Sequence, residues 1–324
     1  MLAFRSAWIG LTLGLMASTV GAQDYPTRPV TLIVPFAAGG PTDVVARAVG
    51  QVMAKQLGQT VVIENKLGAG GTLAAGLVAK APPDGYTLFI HHNGMATAAS
   101  LYRKLPYDPL TDFEYVGQVV DVPMTLLGRK DFPARNLAEL LPYVKANASK
   151  LSLAHAGLGA VSQLCGMLFQ QTVGVQIQTI PYKGTAPAMN DLLGGQVDLL
   201  CDQTTQTTPH IKSGGVKLYG VTTLQRLKAM PDVPTLDEQG LKGFQVVVWH
   251  GIYAPKGTPK PVLDKVNAAL RAALKDLGVQ QRMADLGAEV VPESKQTPES
   301  LRAWLKSEID RWGVAIRAAG EYAD

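Results

Sequence analysis

The sequence predicts an α/β protein shaped as a clamshell of two domains, and three observations carry that prediction. The chain has 324 residues, beyond the roughly 250–300 at which one hydrophobic core stops growing. Short β-branched runs alternate with helical stripes through glycine-rich breaks, the pattern of a parallel sheet with right-handed crossovers. Two long extended segments, 116–127 and 244–253, bracket a complete α/β unit. A chain that crosses twice between two units has two strands for a hinge.

The elements follow in order. Residues 30–35 form a continuous apolar run, as expected of a strand buried on both faces. After the break AAGGPTD (37–43), Val44, Val45, Ala48, Val49, Val52 and Met53 fall on one helical stripe. A second strand (61–64), a glycine break (68–71), a second helix (72–81) and a third strand (86–90) come next. The turn-rich stretch 107–114 leads into the first extended segment, which Pro123 interrupts. The pattern then restarts with helix 137–146, strand 151–154, the break AGLGA (156–160) and helix 161–171. Strand 175–181, loop 182–187, helix 188–193 and strands 197–200 and 216–221 complete this unit. Beyond the second extended segment and the loop 254–261 the chain reads as helix. Its last helix places Leu301, Trp304, Leu305, Ile309, Trp312 and Ile316 on one face, so it packs as a core helix. The expected division is a discontinuous first domain, 23–121 with 249–324, and a second domain, 122–248.

Residues 1–22 read as a signal peptide. Arg5 supplies the positive start, residues 7–20 an uncharged apolar stretch, and Val20-Gly21-Ala22 the cleavage site. The run falls short of the roughly 20 strongly apolar residues that span a bilayer. We therefore expect export to the periplasm with cleavage after Ala22. Composition excludes several classes: 47% apolar and 17% charged residues rule out a disordered chain. A formal charge of +4 with no Lys/Arg-rich run excludes nucleic acid as a partner. Cys165 and Cys201 are too few for a disulfide scaffold, and we expect two buried free thiols rather than a bridge.

The chemistry is in the loops. Glycine breaks stand at the carboxyl ends of strands at 37–40, 68–71, 156–159 and, less regularly, 183–186. A helix start offers unpaired N–H groups and about half a positive charge, which suits anions. Glycine lets a ligand approach the backbone, and open α/β sheets bind ligands at those strand ends. Four such breaks in two hinged halves point to an anion-binding cleft. Neither early break completes G-x-G-x-x-G or a P-loop, so no nucleotide cofactor is expected. With no G-x-S-x-G and no H-E-x-x-H, no catalytic residues are assigned and the chain is not read as an enzyme. The histidines at 91, 92, 155, 210 and 250 lack metal-ligand spacing, so no metal is expected. His91, His92 and His155 each follow a predicted strand and are equally ligand contacts or exposed loop residues. Asp43 reads as support for a helix dipole. Asp202 reads as a contact for polar ligand groups or a residue that orients donors.

The segments YPTRPVTLIVPFAAGGPTDVVAR (25–47), VVIENKLGAGGTLAAGLVAKAPPDGYTL (61–88) and LYRKLPYDPLTDF (101–113) resemble the tripartite tricarboxylate transporter receptors. So do PYKGTAPAMNDLLGGQVDLLCD (181–202), PHIKSGG (209–215) and MPDVPTLDEQGL (230–241). These receptors are also called the Bug family of periplasmic solute-binding proteins. The resemblance implies a periplasmic-binding-protein-like, type II-like clamshell whose hinge is two crossover strands. It implies capture of a small organic acid anion and delivery to the membrane permease subunits of a tripartite tricarboxylate-type transporter. We expect a monomer. Carried onto this chain, the ligand-binding set is Phe36, Ala38, Gly39, Gly40, Thr42 and Asp43 in the first loop, with Ala69, Gly70 and Gly71 in the second. His155, Gly157, Gly159 and Ser162 follow in the third, then Thr185 and Asp202, with His92 and Asn93 completing the set. The third loop departs from the small polar run common in the family, because it carries His155 and Leu158. From that departure we expect an aromatic mono- or dicarboxylate such as terephthalate, with His155 or His92 against its ring. A ligand-sensing module signalling to a receptor kinase, and less so an exported hydrolase, are the alternatives.

Overall fold

The computed structural model describes residues 25–320 and Tyr322, so the expected signal peptide lies outside the described residues. Val30–Val34 (β1) is the buried strand its β-branched run demands. It pairs in parallel with Val61–Asn65 (β2) and Thr87–His92 (β3). The crossovers are Pro41–Leu57 (α1) and Thr72–Ala79 (α2). Proline needs no N–H at the first helical position, and Gly58 ends α1 with a φ of 70°. β3 pairs antiparallel with Val247–Pro255 (β9), which pairs with the first part of Phe113–Arg129 (β4).

β4 is the long crossing strand. Up to Pro123 it lies along β9, and from Met124 it lies between Leu199–Gln203 (β7) and Val216–Val221 (β8). β7 continues in parallel to Ser152–His155 (β5) and then Gln178–Pro181 (β6). Two sheet sections, β2-β1-β3-β9-β4 and β4-β7-β5-β6, thus share one strand. The helices of the second section are Leu137–Asn147 (α4), Val161–Val173 (α5), Thr185–Leu193 (α6) and Thr204–Lys212 (α7). The chain returns to the first section at β9. Buried Thr222 joins both crossings: its hydroxyl donates to the Val246 carbonyl at 2.6 Å and accepts from the Met124 N–H at 3.1 Å.

Lys260–Lys275 (α8), Leu277–Asp285 (α9), Glu289–Val290 (β10) and Pro298–Ala319 (α10) complete the first section, with β10 paired on β4. Leu301, Leu305, Trp312 and Ile316 of α10 are buried as their shared face predicts. Among the described residues no helix is long and apolar enough to cross a membrane.

Four local features differ from the sequence expectation. Gly94–Leu101 (α3) forms from GMATAASL, whose small residues give no apolar stripe to read. α7 forms from TTQTTPHIK, a β-branched stretch whose helicity rests on burial of Thr204, Thr205, Thr207 and Thr208. α6 begins at Thr185, inside the expected loop, because Pro187 sits in the first turn where its missing N–H costs nothing. Cys165 and Cys201 form a disulfide where free thiols were expected. α5 packs on β7 and brings their Cα atoms to 6.1 Å, a bridging distance no spacing in the chain reveals.

Candidate functional site

A small, partly open cavity of about 20 Å³ lies where the two sheet sections meet, with room for about one water molecule. Its walls are largely helix starts. Pro41 and Thr42 open α1, Ala160, Val161 and Ser162 open α5, Thr185 opens α6, and Gln203 immediately precedes α7. α1, α5 and α6 follow β1, β5 and β6 across short turns, and α7 follows β7 directly. The first-turn amides of the four helices have no intrahelical acceptor, and each helix start carries about half a positive charge. No lysine or arginine lines the cavity. A positive field built from backbone alone suits an anion.

Four of the glycine-loop amides are bonded within their own loops. Gly39 N–H donates to Asp43 Oδ2 at 2.9 Å, Gly40 N–H to Ala37 O at 3.2 Å and Gly71 N–H to Gly68 O at 3.0 Å. Gly157 N–H donates to His155 Nδ1 at 3.2 Å. These four amides are engaged inside their own turns. Asp43 is the organiser of the first loop. Besides Gly39 it accepts from Arg47 Nε at 2.8 Å and Asn65 Nδ2 at 3.0 Å, and Asn65 also donates to Phe36 O at 2.8 Å. Burial acts to raise its pKa, yet the bonds from Arg47, Gly39 and Asn65 prevail and hold it below the usual carboxylate range.

Three histidines form the back of the site. His92 stacks on Phe36 with ring centres 4.8 Å apart and lines the cavity. Its Nδ1 accepts the Gly94 N–H at 3.0 Å, so its proton sits on Nε2. His250, opposite it on β9, places Nε2 3.2 Å from Thr42 Oγ1. His91 packs against Gly71 and Gly94, where a Cβ would come within 2.7 and 2.6 Å of its ring. All three are buried, and burial drives their pKa values down, to about 3 for His91 and His250. His92 is lowered well below its ordinary value by burial and by His91 and His250 beside it. The histidines are neutral.

Asp202 is the penultimate residue of β7 and lines the cavity. It has no exposed surface, and neither carboxylate oxygen has a hydrogen-bond partner. Burial pushes its pKa up to about 7, while the nearby Gln203 amide and Thr185 hydroxyl, both outside hydrogen-bonding geometry, offset part of that. The Thr185 hydroxyl instead donates to Gln206 Oε1 at 2.9 Å.

The two sections touch across the cleft. Ala37 N–H donates to Lys183 O at 3.2 Å, and Thr97 Oγ1 donates to Gly159 O at 2.9 Å. Gly70 lies so close to the Leu158 carbonyl that no Cβ fits between them. A mouth pocket of about 320 Å³ lies outside the cavity, shares Phe36 and Ala156 with it, and is lined by Gly68, Ala69, Gly70, Gly71, Tyr102 and Lys183 among others. A larger groove of about 580 Å³ runs between the 227–229 loop and the 284–293 stretch.

Of the residues marked in the sequence, the cavity brings together Phe36, Thr42, His92, Ser162, Thr185 and Asp202. Ala69, Gly70, Gly71 and Gly157 lie at the mouth pocket. Ala38 and Gly39 are exposed, Gly40 packs toward Ala186, and Gly159 meets Thr97. His155 is buried with its pKa lowered by burial, and it lines neither space. Asn93 is turned away. Its amide donates to Val247 O at 3.2 Å and Glu308 Oε2 at 3.4 Å, and its oxygen accepts the Trp249 N–H at 3.1 Å. That amide braces β9 against α10. Sequence reasoning missed Gln203, Val161 and His250; a count of helix starts behind strands would have found the first two.

The relatives agree with this architecture. Residues 45–320 match the model described as "Tripartite tricarboxylate transporter family receptor". An Agrobacterium vitis protein encoded in the TAR-I ttuE-ttuC' intergenic region is 50% identical over 312 residues, covering 96% of this chain and 90% of that protein. The structure of the periplasmic binding protein BugD is 56% identical with a TM-score of 0.91, covering 93% of this chain and 100% of BugD. MatC from Rhodopseudomonas palustris, solved with bound malate, is 45% identical with a TM-score of 0.87, covering 90% of this chain and 100% of MatC. The chain has the α/β periplasmic-binding-protein fold and belongs to the tripartite tricarboxylate transporter receptor family.

Proposed function

We propose that the protein is an extracytoplasmic receptor that closes on a small carboxylate and presents it to the permease subunits of a tripartite tricarboxylate-type transporter. One observation carries this reading: four helix starts, drawn from both sheet sections, surround one buried cavity without a cationic side chain. The moving lobes are 23–121 with 249–324 and 122–248, turning where β4 changes partner beside Thr222. The chain is exported to the periplasm and loses its signal peptide after Ala22. Thr42, His92, Ser162 and Thr185 supply side-chain contacts to the ligand, and the first-turn amides supply the charge recognition. Hydrogen bonds to a charged group contribute about 1.5–3 kcal/mol each. Three or four of them account for micromolar binding, about −8 kcal/mol.

An aliphatic acid suits the site better than terephthalate. His155 and Leu158, which suggested an aromatic ligand, are respectively off the cavity and exposed at its mouth. The related MatC was solved with bound malate. The Phe36–His92 stack is the feature that favours a ring. A hydrolase would need an activated nucleophile. Thr42 and His250 are paired, but His250, with its pKa near 3 and no partner on Nδ1, makes a poor base. Thermal-shift and calorimetric titration with aliphatic and aromatic mono- and dicarboxylates tests the proposal. Saturable binding of an aliphatic acid, returned unchanged by mass analysis, is expected. Preference for terephthalate would restore the aromatic reading, and a converted product would end the receptor reading. A transport assay in a deletion strain separates uptake from signalling to a kinase.

A further inference from the structure

We propose that Asp202 holds a proton when the site is filled, so that capture of a fully ionised carboxylate takes up one proton from solvent. The inference rests on the carboxylate-receptor reading above. Asp202 is the single acidic side chain on the cavity wall, and both its oxygens lack partners. The titratable groups nearest the cavity are His92 on β3, His250 on β9, His155 on β5 and Asp43 on α1, and the elements packed on β7 also carry Glu114, Asp121 and Arg129 on β4, Asp191 on α6, and His210 and Lys212 in the last turn of α7. His92, His250 and His155 are buried and neutral, Asp43 is bound to Arg47, Gly39 and Asn65, and Glu114, Asp121, Arg129 and Asp191 are engaged by Lys256, Lys295, Asp198 and the Tyr182 hydroxyl. Lys183 lines the mouth pocket and not the cavity. Among the described residues no cationic side chain lines the cavity beside Asp202.

A ligand carboxylate seated among the helix starts shares this space with it. Two ionised carboxylates in one desolvated space repel each other, and the pair resolves by taking a proton between them. Solvent or a buffer acid supplies that proton, and an O–H bond forms on Asp202. The new O–H donates to a ligand oxygen, which gives both carboxyl groups a partner. Burial has already moved Asp202 toward the protonated form, to about 7. A site that excludes lysine and arginine can thus still offer a strong side-chain donor to an anion. Ligands that bring their own ammonium group would instead leave Asp202 ionised.

The test is calorimetric titration of the full chain with malate, a fully ionised probe near pH 8, in buffers of low and high ionisation enthalpy. The buffer dependence should report uptake of about one proton per malate, and affinity should fall about tenfold per pH unit above pH 8. The Asp202→Asn variant should lose both dependences and bind malate more tightly than the parent chain near pH 9. No proton uptake by the parent chain, or loss of malate by Asp202→Asn at every pH, would overturn the proposal while leaving the receptor reading intact. Tighter binding of aspartate than malate, with no proton taken up, would assign Asp202 to a ligand ammonium instead. If no mono- or dicarboxylate, aliphatic or aromatic, binds at any pH, the receptor reading falls and the proposal falls with it.

Discussion

Three imidazoles buried side by side make the folded chain sensitive to acid in a defined window. His91 and His250 stay neutral down to about pH 3 in the fold, whereas an unfolded histidine takes its proton near 6.5. Below 6.5 the unfolded chain therefore binds more protons. Their contribution to stability is complete above about 6.5 and is lost as pH falls toward 3. Urea melts should show stability falling by up to about 1.4 kcal/mol per pH unit for each histidine between pH 6 and 5, offset by one proton's worth from Asp202, whose pKa the fold raises to about 7. His250→Gln should reduce that slope by one proton, and an unchanged slope would show that His250 is not held neutral. Single residues were only partly legible in the sequence. Asp43 read as dipole support, but its partner Asn65 lies 22 positions away and only the fold brings them together. Asn93 follows a strand as a ligand contact would, yet Glu308 and Trp249, far along the chain, claim its side chain.

At the level of elements, closure depends on turns that tolerate no side chain. Gly70, with φ of 59°, faces the Leu158 carbonyl across the cleft. Gly70→Ala should cost roughly 1–2 kcal/mol of stability from the backbone strain but weaken malate binding far more, because the lobes cannot meet. Thermal melts and calorimetry on the same sample separate the two effects, and unaltered binding would contradict the closed geometry. The strands and the amphipathic helices were legible because burial pattern and period coincide there, as in β1 and α10. α7 was not, since a threonine-rich stretch signals helix only once its burial is known. The disulfide was hidden for a similar reason. Its halves lie 36 residues apart, and the bridge ties α5, which carries Ser162, to β7, which carries Asp202.

For the whole molecule, one long strand serves both sheet sections, and the chain returns beside it through Val246. The two extended segments announced those crossings, whereas Thr222, which bonds to both, was not singled out by sequence at all. The charge logic was legible in outline as glycine breaks at strand ends. We assign it to the helix starts just beyond those breaks, because the Gly39, Gly40, Gly71 and Gly157 amides bond within their own turns. That reassignment gives the account its most direct test, a backbone-amide NMR titration with malate. Thr42 and Asp43 on one side, and Val161, Ser162 and Thr185 on the other, should shift together along a single saturation curve. Shifts confined to one side, or to the glycine turns alone, would contradict it.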